Sequence, residues 1–225
     1  MAKSNILKEL ANNTITLEIA LSRLMIIASD ISDFELQNWA KMELEGYCDK
    51  DECPPYRFIP FGNILYSGIN GGLQVTGMPL PLSTLPEAIR KALSEPFKEK
   101  SNISTIVDIV EKKQNGMRRD LILFSQLVSD NTGGGIQCLE IWSSLDYLTF
   151  NRILSSLRTK LLDVFISLDK KLGNLDELDI DSSNVNLPEL QQITYNIIYQ
   201  DNSVKLGDKN KLDKSGILGS MSNGS

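Results

Sequence analysis

SDFELQNWAKMELEGYCDKDECPPYR, residues 32–57, reads as a capped amphipathic helix, a glycine stop and a tight proline-rich loop that ends in Tyr56-Arg57. Ser32 and Glu35 match a capping box, in which each side chain satisfies a free backbone N–H of the other. Ile31 and Leu36 stand where a hydrophobic staple would. Leu36, Trp39, Ala40 and Leu44 recur at three- and four-residue spacing, the buried face of a helix. Gly46 follows as the residue that leaves the helix, where positive φ costs glycine least. Pro54 and Pro55 then forbid further helix.

Helix extends upstream of this stretch. Ser4–Leu10 forms a short first helix, and Thr16–Asp30 a second with Leu17, Ala20, Leu21, Leu24 and Ala28 on one face. Downstream the pattern changes. Tyr56–Ile59, Gly62–Ser67 and Leu73–Gly77 read as short strands, with Asn70-Gly71-Gly72 as a hairpin turn. Helix returns after Thr84, where Thr84 and Glu87 again match a capping box. It returns again from about Asn102 to Lys113, with Ile103, Ile106, Val107 and Val110 inward and Asn115-Gly116 as its stop. Leu121–Val128 fits strand or helix. Asn131–Gly135 is a loop and Ile136–Trp142 a strand.

Asp146–Leu172 carries the clearest helical pattern. Tyr147, Phe150, Leu154, Leu157, Leu161, Val164 and Leu168 form a near-heptad stripe, expected to pack on the helices of residues 17–45. Gly173 ends it. Residues 174–190 read as an acidic linker, with Asp176, Glu177, Asp179 and Asp181 close together. In residues 191–225, Ile193, Tyr195 and Ile197 alternate as in a strand. Asn202-x-Val204 and Asn210-x-Leu212 hint at an eight-residue repeat. The expectation is an α+β protein: a mostly helical domain over 1–173 with a small β-rich insert, then a small β-appendage that pairs with another copy or a partner.

Composition narrows the chemistry. The 225 residues are 41% hydrophobic and 23% charged, ordinary for a globular chain. No apolar run approaches the ~20 residues of a membrane span, and the N-terminus has no signal-peptide core, so a cytoplasmic protein is expected. The net charge of −6 speaks against a general nucleic-acid binder. Three cysteines, Cys48, Cys53 and Cys138, are read as reduced thiols. The chain has no histidine. A Ser-His-Asp triad, a Cys-His dyad and a histidine-bearing zinc site are therefore impossible within it.

Each candidate site has a plain structural reading beside its chemical one. Cys48 and Cys53, with acids between them, resemble half a metal site but lack two further ligands. The acids of the linker lack the glycine and distal glutamate of a calcium loop. Gly133–Gly135 lacks the Lys-Ser/Thr that a phosphate-cradling loop carries. No metal, catalytic residue or cofactor is assigned. Lys112, Lys113, Arg118 and Arg119 are the densest basic cluster, a candidate patch for nucleic acid or an anionic partner, and a solvated helix end and loop is the favoured reading. Glu43, Tyr47, Tyr56 and Arg57 are the most informative polar group. If the loop folds back, Arg57 reaches Glu43 in a bidentate pair and the tyrosines clamp it. That group is either a partner- or anion-binding site or a buried latch, and the latch is favoured.

The order of Trp39, Glu43-Leu44-Glu45-Gly46-Tyr47, the acidic loop Asp49–Glu52 and Pro54-Pro55-Tyr56-Arg57 resembles the AbiTii family. Arg158-Thr159-Lys160-Leu161-Leu162 resembles a second segment of it, and the similarity covers residues 4–173. The resemblance implies abortive infection, in which an infected bacterium stops growing before phage mature. It also implies a second small protein, AbiTi-like and membrane-associated, as a partner, and an interaction or sensing module more than an enzyme. A metal-dependent hydrolase or nuclease using carboxylates is the first alternative, and an antitoxin-like nucleic-acid-binding regulator the second.

Overall fold

The structure, a computed structural model, describes residues 3–114, 117–176 and 186–200. It begins with α1 (Asn5–Ala11), α2 (Leu17–Asp30) and α3 (Phe34–Glu45). Thr16 caps α2 by accepting a hydrogen bond from the Ile19 N–H. Every residue of the expected α2 face is buried. The cap of α3 is one residue later than expected. Ser32 sits at φ 56° and finishes α2, its N–H donating to Ser29 O, while Asp33 accepts from the Leu36 N–H. A side chain in the left-handed region cannot cap the next helix, so Asp33 takes over that function.

Asp33 is fully buried, and among the described residues its Oδ2 has no hydrogen-bond partner. Burial raises its carboxyl above the ordinary value of 3.8, against the opposing pull of the Leu36 N–H. The folded protein thus holds this proton more tightly than the unfolded chain does. The stability it contributes is full below pH 3.8 and is lost as pH rises through the raised folded value. Asp33→Asn keeps the cap and removes the charge. It is expected to raise stability at pH 7 by about 1 kcal/mol and to leave pH 3.5 nearly unchanged, read from urea melts at both pH values. Equal effects at the two pH values would contradict the assignment.

A β-rich insert follows α3. A short 3-10 turn, Pro55–Arg57, replaces the first half of the strand expected at Tyr56–Ile59, leaving β1 as Phe58–Ile59 alone. β2 (Asn63–Asn70) and β3 (Leu73–Pro79) form the hairpin, with Gly71 and Gly72 at φ 57° and 86°. Thr84 caps nothing. Its hydroxyl donates to Pro81 O inside a 3-10 turn, and α4 (Glu87–Ser94) starts after Pro86. β4 (Phe97–Lys98) pairs with β1.

α5 (Ile103–Glu111) is capped by Asn102. β5 (Met117–Asp120) comes next, a strand absent from the sequence reading. Leu121–Val128 resolves as a 3-10 turn at Ile122–Phe124 and α6 (Ser125–Asn131). β6 (Ile136–Leu145) completes an antiparallel sheet of order β3-β2-β6-β5. One face of that sheet holds Ile64, Tyr66, Ile136, Cys138 and Ile141, packed with Leu93 of α4 and Val128 of α6.

α7 (Tyr147–Leu172) is capped by Asp146 and left by Gly173 at φ 87°. Its buried stripe packs mainly on α5, α8 and α1, and only weakly on α2, because α2 and α3 bury their apolar faces against each other. α8 (Leu187–Tyr199) corrects the strand read at Ile193, Tyr195 and Ile197. Leu190, Thr194 and Ile198 are buried at four-residue spacing, and Asn186 and Pro188 open the helix. In so short a stretch the apolar residues satisfy both periods, and packing on α7 and α3 selects the helical one. The Asn115-Gly116 stop, the acids from Glu177 to Asp181 and the repeat beyond Gln200 lie outside the described residues. Among the described residues no helix is long and apolar enough to cross a membrane.

Candidate functional site

α3 delivers Trp39 and Glu43 one helical turn apart, both with no exposed surface. Gly46 then turns the chain at φ 98°, ψ 167°, a region open essentially to glycine alone. A Cβ there would stand 2.9 Å from Lys100 O. This turn sends Tyr47 back along the helix, with its N–H on Lys100 O at 2.9 Å. The acidic loop is closed by Lys98, whose Nζ donates to Cys48 O at 2.8 Å and Asp51 O at 2.6 Å. The Pro55–Arg57 turn brings Tyr56 and Arg57 onto the same carboxylate.

The four side chains meet. Arg57 Nε donates to Glu43 Oε1 at 3.2 Å, and Arg57 Nη2 donates to Glu43 Oε2. Tyr47 and Tyr56 hydroxyls donate to Glu43 Oε1 at 2.6 and 2.8 Å. Arg57 Nη1 donates to Ser101 O at 2.7 Å, and the guanidinium carbon lies 5.1 Å from the Tyr47 ring centre. Trp39 Nε1 donates to the Tyr56 hydroxyl at 3.1 Å. Glu43 and Arg57 are both at 0% exposure. Burial opposes the Arg57 charge, yet Glu43 beside it holds the guanidinium above its ordinary value. Burial, then the charge of Glu43, pushes both tyrosine hydroxyls far up, so they stay protonated donors.

Trp39, Lys98 and the Ser101 carbonyl were not in the sequence reading of this group. Trp39 had a usable signal, since a buried indole N–H needs an acceptor. The Ser101 carbonyl had none.

The basic residues divide. Lys112 pairs with Asp108 at 2.6 Å, and Lys113 sits at φ 47° past the end of α5. Arg118 and Arg119 are neighbours on β5, so they project to opposite sheet faces. Arg118 lies 4.0 Å over the Trp142 ring, and Arg119 3.8 Å over Phe97 and 5.0 Å over Phe61. All three cysteines are free, and burial lifts the Cys53 thiol to about 11. Gly133 and Gly134, at φ 58° and 82°, make the turn between α6 and β6. Among the described residues no three His, Cys, Asp or Glu side chains converge as a metal site requires.

Comparison with family models gives a match to the model described as AbiTii over residues 4–192. The match covers the latch, the sheet and α7, and reaches into α8. Comparison with curated proteins and with solved structures gives no match.

Proposed function

Because the chain belongs to the AbiTii family, we propose that it is an abortive-infection antiphage protein that acts by contact with a second protein. The family match carries the defence role. The contact mode is supported by the chemistry of the Glu43–Arg57 group. Its charges are paired with each other and enclosed, so neither is open to a substrate. This group is a latch that fixes the loop of residues 46–57 on α3. Recognition then falls to the surface that the latch holds in shape, and the partner is a second defence protein of the host or a phage protein.

The test is infection at high multiplicity of cells expressing this chain, alone and with its neighbouring gene. Phage yield is expected to fall by an order of magnitude or more while infected cells stall or die. Unchanged yield in both arms would overturn the defence role. Cells that survive and clear the phage would overturn the abortive mode.

A further inference from the structure

We propose that the free edge of β5 takes up an extended segment of a partner protein as a further antiparallel strand, and that this segment carries two consecutive acids. The sheet order β3-β2-β6-β5 leaves β5 paired on one side only. The Leu121 N–H donates to Ile141 O at 3.0 Å. By the alternation of an antiparallel ladder, Arg119 and Met117 then bond to β6 as well. Arg118 and Asp120 fall between them, so their N–H and C=O groups point outward. Among the described residues no group meets either N–H. The opposite edge offers no such ladder. β3 is broken by a bulge opposite Ser67, with Gly77 at φ 64°, and ends in Pro79.

The side chains of β5 choose the partner. Residues 118–120 are exposed, and each arginine is held flat over an aromatic ring. A stacked guanidinium keeps its in-plane N–H groups for a carboxylate. Among the described residues neither arginine pairs with an acid. The two project to opposite faces, so two consecutive acids on an incoming strand meet them, one on each face. Asp120 calls for a base or a neutral residue opposite it. The complementary antiparallel segment reads basic, acidic, acidic, apolar from its N-terminus, opposite Asp120, Arg119, Arg118 and Met117 in turn. Glu140 shares the face of Arg118 but stands on β6, two strand spacings or roughly 10 Å from the incoming strand. Charges on a short edge deter a neutral strand and favour this one. A second copy fits poorly, since a two-fold antiparallel pairing of β5 centred on either arginine sets that arginine against itself. The net charge of −6 disfavours nucleic acid. The edge deepens the protein-contact reading and rests on it.

The experiment titrates the full chain into a fluorescent peptide, acetyl-Thr-Lys-Glu-Glu-Val-Thr-amide, and reads anisotropy. Its charge-reversed counterpart, with Glu-Lys-Lys in place of Lys-Glu-Glu, is expected to bind about tenfold more weakly or worse. Arg118→Glu with Arg119→Glu should invert that preference. The backbone gives a sharper test. N-methylation of the second Glu, whose N–H faces β5, weakens binding about tenfold or more, whereas N-methylation of the first, whose N–H faces away, leaves it in place. This comparison needs no protein variant, so it decides the matter if the charge-reversed chain fails to fold. No binding, or equal effects of the two methylations, would overturn the strand addition. Competition by single-stranded DNA as strong as by unlabelled peptide, or a dimer of the chain alone that the arginine variant abolishes, would give the edge to another occupant and overturn it too. No phage takes part in this measurement, so its failure leaves the defence role to the infection assay.

Discussion

Arg57→Ala is expected to lower the unfolding free energy by about 3–5 kcal/mol, because it strands the Glu43 carboxylate without a countercharge in a site closed to water. Glu43→Ala should cost as much, since it strands the guanidinium and removes the acceptor of two tyrosine hydroxyls. Tyr47→Phe deletes one donor and leaves the pair intact, so about 1–2 kcal/mol is expected, while Tyr56→Phe also strands the buried Trp39 N–H and should cost more. The informative variant is the double one. Glu43→Leu with Arg57→Met removes both charges at similar volume and should recover much of the loss. A buried ion pair is costly to break and cheap to replace. Equilibrium urea unfolding of the four single variants and the double checks this. Additive losses in the double, or a loss under about 1 kcal/mol in Arg57→Ala, would mean the pair is not a latch. The infection assay adds a second reading. If Arg57→Ala abolished protection at unchanged stability, Arg57 would have to act on a ligand.

The latch was legible because Glu43 falls on the apolar side of its helix, in line with Leu36, Trp39 and Ala40. A carboxylate there needs a cation, and Arg57 is the charged residue the loop brings back. Its backbone acceptor, Ser101 O, was not legible, because every residue has a carbonyl. The long stripe of α7 and the capped starts of α2, α5 and α7 were readable from period and cap alone. The errors share a cause. Ser32 and Thr84 match cap patterns, but the preceding turns had already used them. α8 satisfies strand and helix periods together over its few apolar residues, and of its two packing partners α3 lies far away in sequence. β5 is an edge strand reading Met-Arg-Arg-Asp, almost wholly exposed. Backbone pairing with β6 defines it, not an apolar alternation.

Gly68→Ala is expected to cost about 3 kcal/mol or more. Gly68 sits in the middle of β2, opposite Cys138, where the register slips by one residue and Leu139 bulges from β6. A Cβ there would fall 1.9 Å from Gln137 O and 3.2 Å from Leu139 N. Both are backbone atoms, which no rotamer change can clear, so β2 and β6 must part at the centre of the ladder. How far the damage spreads depends on the cluster of Ile59, Ile106, Ile109, Leu145, Phe150 and Ile153. It joins β1 and the end of β6 to α5 and α7, between the sheet core and the helical core. The two tryptophans report on the two sides: Trp39 in the helical core, Trp142 on the sheet. Single-tryptophan versions, made by Trp39→Phe and by Trp142→Phe, allow each side to be followed in urea. With Gly68→Ala, both signals are expected to shift to the same lower midpoint, because the joining cluster is shared by the two sides. A shift confined to Trp142 would mean that the sheet unfolds by itself and that the latch and α7 hold the helical core without it.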